Sequence, residues 1–288
     1  MTTRGTLSLL DVDTPPIGHY PIQLTPPTPP AVWNEPPSTD WTVPPPLPPP
    51  GQPEFVESEV PWRLGDIVLS LLVGVIGGLV LGALAMLAAG ADLDHPRTVD
   101  IGVFSTVAYA WIILSFWFFI LKRRNVSART LFARRLSIGR LALLLPIAFG
   151  AFLVSGTIIQ LVINVGGIDP PQQQLLGEGE HINGLNWLIL IWTACVCAPV
   201  AEEFVFRGVL FGYFRKRWAW LPAALIPAAL FALSHVTPYV WPAFFVLGVI
   251  LAAVREWTKT LLAPMLVHAL YNGLVLLALY AITETSFG

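Results

Sequence analysis

From residue 64 onward, the sequence consists of apolar segments separated by short polar links. A helix needs about 20 residues to cross the hydrocarbon core of a bilayer. Seven segments reach or approach that length: 64–90, 101–121, 139–165, 185–214, 220–236, 239–255 and 260–282. Only 12% of the residues are charged and the mean hydropathy is +0.68, well away from the composition of a soluble domain. The sequence therefore predicts an all-α, polytopic transmembrane helix bundle of about seven spans, in the cell (plasma) membrane.

The first 61 residues differ from the rest in composition. Seventeen of the 27 prolines lie there, in runs such as PPTPP and PPPLPPP. Such a segment buries too little apolar surface to fold alone and favours polyproline II. We expect 1–61 to be a disordered, proline-rich tail, serving either as a spacer or as a docking site for a proline-binding partner. The predicted division of the remaining chain is 62–184, the N-terminal transmembrane helices, and 185–288, the C-terminal helices.

Lysine and arginine concentrate in particular links between the predicted spans. The link between the second and third spans carries seven of them and no acid: Lys122, Arg123, Arg124, Arg129, Arg134, Arg135 and Arg140. Because cationic loops stay in the cytoplasm, seven alternating crossings place the N-terminus inside. The basic stretch 125–138 is expected to lie along the membrane surface. A net charge of −2 gives no indication of a nucleic-acid partner.

Away from their ends, the predicted spans contain five strongly ionisable side chains: Glu202, Glu203, Arg207, His235 and His268. Such groups are costly in a bilayer and face the interior of a bundle. At 1.5 Å per residue, Glu202 and His235 lie roughly 20 Å inside their spans, and His268 roughly 14 Å inside its own. These three side chains reach similar depths from the same face of the membrane. The sequence therefore predicts that they share one site.

Helical spacing separates the roles of these residues. Glu203 and Arg207 are at i and i+4, in the order that favours an ion pair. Glu202 points about 100° away and has no partner on its own helix. His268 and Asn272 repeat the four-residue spacing, so an imidazole and an amide share one face. A buried Glu–Arg pair can also simply tie helices together, and a structural role for Glu203 and Arg207 is equally consistent with the spacing.

The residue types indicate hydrolytic chemistry. A carboxylate in an apolar pocket is suited to accept a proton from water, so Glu202 with His235 can activate a water molecule. His268 and Asn272 can then donate hydrogen bonds to a developing oxyanion. Alternatively, the Glu, His and His can hold Zn²⁺ with a water in the open position, although no H-E-x-x-H motif is present. Other classes that the sequence allows are a non-catalytic membrane scaffold and a proton-coupled transporter; the internal repeats of many transporters are not evident.

Three separated motifs contain these residues in a fixed order: EEFVFR (202–207), FALSH (231–235) and HALYN (268–272). With them the sequence resembles the CPBP intramembrane proteases, also called the CAAX-protease and bacteriocin-processing (Abi) family. That family includes the type II CAAX prenyl endopeptidases. The resemblance covers about residues 185–282, and the proline-rich tail is not part of it.

The resemblance implies a role for each motif residue. Glu202 and His235 would activate the attacking water, His268 and Asn272 would form the oxyanion hole, and Glu203 and Arg207 would support Glu202. Family members are described both as metalloproteases and as glutamate-dependent proteases, so the implied cofactor is either Zn²⁺ or none. The implied substrate is a membrane-associated peptide or protein. The alternative is a non-catalytic scaffold or bacteriocin self-immunity protein of the same fold.

Overall fold

The structure is a computed structural model, and it describes residues 62–92, 94–132, 135–168 and 184–287. The predicted proline-rich tail lies outside the described residues. Within them every regular element is helical, which confirms the predicted all-α class. The main helices are α1 (Leu64–Ala88), α2 (Thr98–Lys122), α3 (Ile138–Gly166), α4 (Gly184–Arg215), α5 (Trp220–Leu233), α6 (Trp241–Thr258) and α7 (Leu262–Phe287).

Six of these helices are long and apolar enough to cross a membrane, when α6 is counted with the short 3₁₀ turn that precedes it. The protein is therefore a multi-pass membrane protein. The predicted cytoplasmic position of its N-terminus remains a prediction.

The fifth predicted span, α5, is shorter than the sequence analysis suggested. Its 14 residues rise about 21 Å, less than the roughly 30 Å of a hydrocarbon core. The apolar run continues to Val236, but Thr237 precedes Pro238 and is extended (φ −96°, ψ 103°), as expected for a residue before proline. The described residues thus contain six helices of spanning length and this shorter apolar helix, in keeping with the prediction of about seven spans. His235 consequently lies in the turn between α5 and α6.

A stripe of small residues on α1 faces α2. Ser70, Gly74, Gly78 and Gly82 are buried at four-residue intervals. A Cβ atom on Gly78 would lie only 3.1 Å from the carbonyl oxygen of Ala108. Small residues allow membrane helices to approach this closely. The stripe thereby sets the position of α2, which forms one wall of the site described below.

The basic link between α2 and α3 contacts the core of the helix bundle through one leucine. The 3₁₀ turn Ala128–Phe132 places Leu131 in the core, and the Leu131 carbonyl accepts a hydrogen bond from the Leu261 backbone N–H (2.9 Å). The expectation that 125–138 lies along the membrane surface as an amphipathic piece stays a prediction. One leucine among arginines carries too little periodicity to predict its burial.

The helices α5 and α6 pack closely against each other at Gly248. A Cβ atom there would lie 2.8 Å from Ala228 Cβ and 2.9 Å from Ala228 Cα. The Gly248 carbonyl also accepts a hydrogen bond from Arg207 Nη2 (3.1 Å). One glycine therefore joins α4, α5 and α6.

Gly248→Ala is expected to destabilise the protein by about 1–3 kcal/mol, because the added methyl group must push α6 away from the α5 backbone. Thermal unfolding of the purified protein in detergent measures this effect. Gly156→Ala on α3 is the matched control: nothing lies within 4 Å of its Cβ position, and alanine favours a helix over glycine. Equal unfolding midpoints for Gly248→Ala and the wild type would contradict the close packing.

Candidate active site

Four of the six predicted site residues line one cavity of about 280 Å³: Glu202 on α4, His235 after α5, and His268 and Asn272 on α7. The other two, Glu203 and Arg207, are fully buried and do not line it. Elements distant in sequence thus bring a carboxylate, two imidazoles and an amide to one space. Their predicted roles in catalysis remain predictions.

The helix α4 departs from regular α geometry near the cavity, because Trp192–Cys197 form a π-helical turn. In a π-helix an N–H bonds to the carbonyl five residues back, and Ala198 N–H bonds to the Thr193 carbonyl in this way. The next N–H in this pattern would belong to residue 199, which is a proline and has none. The Ala194 carbonyl is therefore left for another donor.

Asn272 supplies that donor. Its Nδ2 donates to the Ala194 carbonyl at 2.6 Å. A side-chain amide has two N–H groups, so this bond orients the amide and leaves the second N–H for a ligand in the cavity. Pro199 thus contributes to the site indirectly, by leaving unpaired the carbonyl that orients Asn272.

The ion pair predicted from the spacing of Glu203 and Arg207 is present and buried. Arg207 Nη1 lies 2.7 Å from Glu203 Oε1, and the guanidinium packs 4.5 Å from the centre of the Phe231 ring. Both partners of a buried pair must be present, since a single buried charge is far more costly. The pair therefore anchors α4 beside the cavity.

His268 lies between the two glutamates. Its Nδ1 is 2.9 Å from Glu203 Oε1, and its Nε2 is 3.8 Å from Glu202 Oε2. Because Glu203 also pairs with Arg207, it is ionised and can only accept, so Nδ1 carries a proton. In the neutral ring Nε2 is then a proton acceptor facing Glu202. The spacing on α7 predicted only the proximity of His268 to Asn272 and not its position between the carboxylates.

Glu202 has a hydrogen-bond partner that the sequence analysis missed. Tyr109 on α2 donates its hydroxyl to Glu202 Oε1 at 3.0 Å. With one carboxylate oxygen held by Tyr109, the other faces His268. The available signal was a tyrosine in the middle of an apolar span, since a buried hydroxyl needs a partner.

The imidazole of His235 is held by its own turn. Its Nδ1 lies 2.9 Å from the Phe231 carbonyl, which only accepts hydrogen bonds, so this nitrogen is the protonated one. The rings of Phe231 and Phe244 pack edge-on against it, at 5.1 and 4.2 Å between centroids. Trp241 Nε1 donates to the His235 carbonyl (2.7 Å) and holds the backbone. Nε2 is left as the acceptor nitrogen of the neutral ring.

Both cavity histidines have the tautomer in which imidazole binds metals through Nε2. Among the residues that the structure describes, however, no three His, Cys, Asp or Glu side chains are grouped so that they could hold a metal ion. Glu202, His235 and His268 as placed therefore do not fit a Zn²⁺ site.

Comparison with known proteins finds similarity in the part of the chain that contains the motifs, about a third of its length. Residues 184–274 match the profile of the family described as type II CAAX prenyl endopeptidase Rce1-like. The chain is 34% identical over 95 residues to the "Membrane-embedded CAAX protease MroQ" of Staphylococcus aureus (strain USA300), which covers 31% of this chain and 38% of that protein. It is 32% identical over 87 residues to an uncharacterized 24.3 kDa protein of Escherichia coli. That match covers 28% of this chain and 40% of the Escherichia coli protein.

The chain spans about two fifths of the length of these relatives. No solved structure matches it. The matched residues run from the start of α4 into α7 and include every residue of the three motifs. Over these residues the protein is similar to the type II CAAX prenyl endopeptidases, which supports the predicted relation to the CPBP intramembrane proteases.

Proposed function

We propose that the protein is an intramembrane endopeptidase that hydrolyses a peptide bond of a membrane-associated peptide or protein, using a water molecule activated by Glu202. One observation carries the proposal: Glu202 Oε2 faces His268 Nε2 across 3.8 Å, in a cavity also lined by His235 and Asn272. The similarity of residues 184–274 to CAAX endopeptidases supports the same reaction class.

The gap between Glu202 and His268 suits the attacking water. A separation of 3.8 Å is too long for a direct hydrogen bond, and a bridging water can lie at about 2.8 Å from each atom. Glu202 takes one proton from this water as the water oxygen attacks the carbonyl carbon of the peptide bond. Glu202 then gives that proton to the amide nitrogen, the C–N bond breaks, and a carboxylic acid and an amine leave.

Oxyanion stabilisation is assigned here to Asn272, whose second amide N–H is available for the negative oxygen of the tetrahedral intermediate. His268 holds its only proton toward Glu203, so in its neutral form it accepts from the water instead of donating to the oxyanion. This division differs from the one implied by the family resemblance, in which His268 shares the oxyanion hole. His235 lines the same cavity with Nε2 available to contact water or substrate.

The rest of the lining indicates the kind of peptide that fits. Phe244, Leu247, Tyr271, Val275 and Leu276 add apolar surface around the polar groups. A pocket of this kind favours an apolar side chain next to the bond that is cut. The proposed substrate is therefore a peptide that reaches the cavity from the membrane with apolar residues flanking the cleavage position.

Comparative proteomics of membranes tests the proposed function. Cells producing the wild type, Glu202→Gln or Glu256→Gln are compared for new peptide termini by mass spectrometry. Glu256 is the matched control because it pairs with Arg215 and Lys259 and does not line the cavity. We expect termini that appear with the wild type and Glu256→Gln and are absent with Glu202→Gln. If no terminus depends on Glu202, the protein is not this protease, and a non-catalytic scaffold of the same fold becomes the better interpretation.

Pro199→Ala is expected to lower kcat about tenfold while leaving thermal stability equal or higher. The new backbone N–H can bond to the Ala194 carbonyl and displace Asn272, whereas alanine itself favours the helix. The fall in kcat should not exceed about 10²–10³-fold, which is the loss expected when one oxyanion donor is removed completely. The measurement is kcat on a cleaved peptide, with the unfolding midpoint recorded on the same preparation. Full activity would show that the proline does not control Asn272.

A further inference from the structure

We propose that Tyr109, which lies outside the segment that matches the family, is a positioning residue of this active site. Its hydroxyl holds one oxygen of Glu202, so that the other oxygen faces the attacking water. The inference rests on the proposed function. It extends the site from the motif helices to α2, on which none of the three motifs lies.

The two oxygens of Glu202 have different neighbours. Oε1 accepts the hydrogen bond from Tyr109 (3.0 Å), and Oε2 lies 3.8 Å from His268 Nε2. The last torsion of a glutamate side chain is broad and poorly defined by itself. Hydrogen bonding from Tyr109 removes that freedom, because rotation of the carboxylate would break the bond. Oε2 is therefore kept as the oxygen that meets the water.

The reach of Tyr109 depends on how α2 is held against α4. One turn before Tyr109, Trp192 Nε1 donates to Thr106 Oγ1 (3.2 Å). Two turns after it, the rings of Phe116 and Phe204 meet edge-on at 6.4 Å between centroids. Contacts on both sides of Tyr109 thus fix α2 relative to the helix that carries Glu202.

A second residue of α2 supports the same extension of the site. Ser105 precedes Tyr109 by four residues, shares its helix face and also lines the cavity. The first half of the chain therefore contributes a polar wall to the cavity, although the family profile begins only at residue 184.

Tyr109→Phe tests the inference, since it removes only the hydroxyl. The assay uses an internally quenched peptide with the cleavage sequence found in the proteomic comparison, and the full-length protein reconstituted in liposomes. We expect kcat to fall roughly 10- to 100-fold, the range for losing a hydrogen bond to a charged group, with KM within about threefold of the wild type. Tyr213→Phe, at the far end of α4 and outside the cavity lining, should keep wild-type kcat and KM.

The outcomes separate this inference from the proposed function. A normal kcat for Tyr109→Phe alongside an inactive Glu202→Gln would overturn the positioning role alone. A change confined to KM would also overturn it, because Tyr109 would then contact substrate instead of orienting Glu202. So would a loss of activity that merely follows a lower unfolding midpoint. An active Glu202→Gln variant would instead remove the proposed function.

Discussion

Glu202→Gln is expected to lower kcat about a thousandfold and to leave the fold intact. The amide cannot take a proton from water, and a positioned general base contributes about 10²–10⁴-fold. Its carbonyl oxygen can still accept the Tyr109 hydroxyl, so the contact between α2 and α4 survives. Single-turnover cleavage of the quenched peptide in liposomes measures the loss.

Glu256→Gln is the control, because it makes the same Glu-to-Gln change at a position that does not line the cavity. This variant should cleave the peptide at a rate within a few-fold of the wild type. Both variants should elute at the wild-type position in gel filtration and give the wild-type circular dichroism spectrum. Cleavage by Glu202→Gln at an undiminished rate would exclude Glu202 as the base.

Arg207→Met is expected to destabilise the protein by about 3–5 kcal/mol, the usual cost of leaving one partner of a buried ion pair. Glu203 is fully buried, and its Oε2 makes no hydrogen bond within the described part of the chain. Without Arg207, the carboxylate retains its contact with His268 but loses its cationic partner. At roughly 2–4 °C per kcal/mol, the unfolding midpoint should fall by about 10 °C.

The double change Glu203→Gln/Arg207→Met should recover a large part of that stability, because it removes the unpaired charge as well. The comparison separates a charge effect from lost packing of the long arginine side chain. The double variant should nevertheless remain poorly active, since the neutral amide in place of the Glu203 carboxylate no longer holds the His268 proton at Nδ1 as firmly. If the destabilising effects of the two changes simply add, the pair is not energetically coupled.

The local features of the site follow from residue spacing along single helices. The Glu203–Arg207 pair was predicted from i, i+4 spacing and is present at 2.7 Å. The cost of ionisable groups in a bilayer predicted that Glu202, His235 and His268 share one space, and all three line one cavity. The ion pair could be predicted because helical spacing is read directly from residue numbers, whereas His235 enters the cavity from the turn after α5 and not from within a span.

Other features depend on contacts between residues far apart in the chain. Tyr109 and Glu202 are 93 residues apart, and nothing in the local pattern of α2 indicates its partner. The hydrogen bond from Asn272 to the Ala194 carbonyl depends on two separate features. Pro199 leaves that carbonyl without a backbone donor, and α7 packs beside α4 so that Asn272 can reach it. The fifth apolar segment was predicted to run to residue 236, whereas α5 ends at Leu233, because hydropathy averages over the turn that precedes Pro238.

Apolar length, the scarcity of charge and three short motifs were enough to predict a membrane-embedded helical protein in which Glu202, His235 and His268 lie close together. Which oxygen of Glu202 faces the cavity, which nitrogen of His268 carries the proton and which carbonyl holds Asn272 were decided only when the helices packed. The physical reason is that helix formation and membrane insertion respond to the composition of continuous segments. The direction of a hydrogen bond instead depends on which partner a neighbouring helix presents.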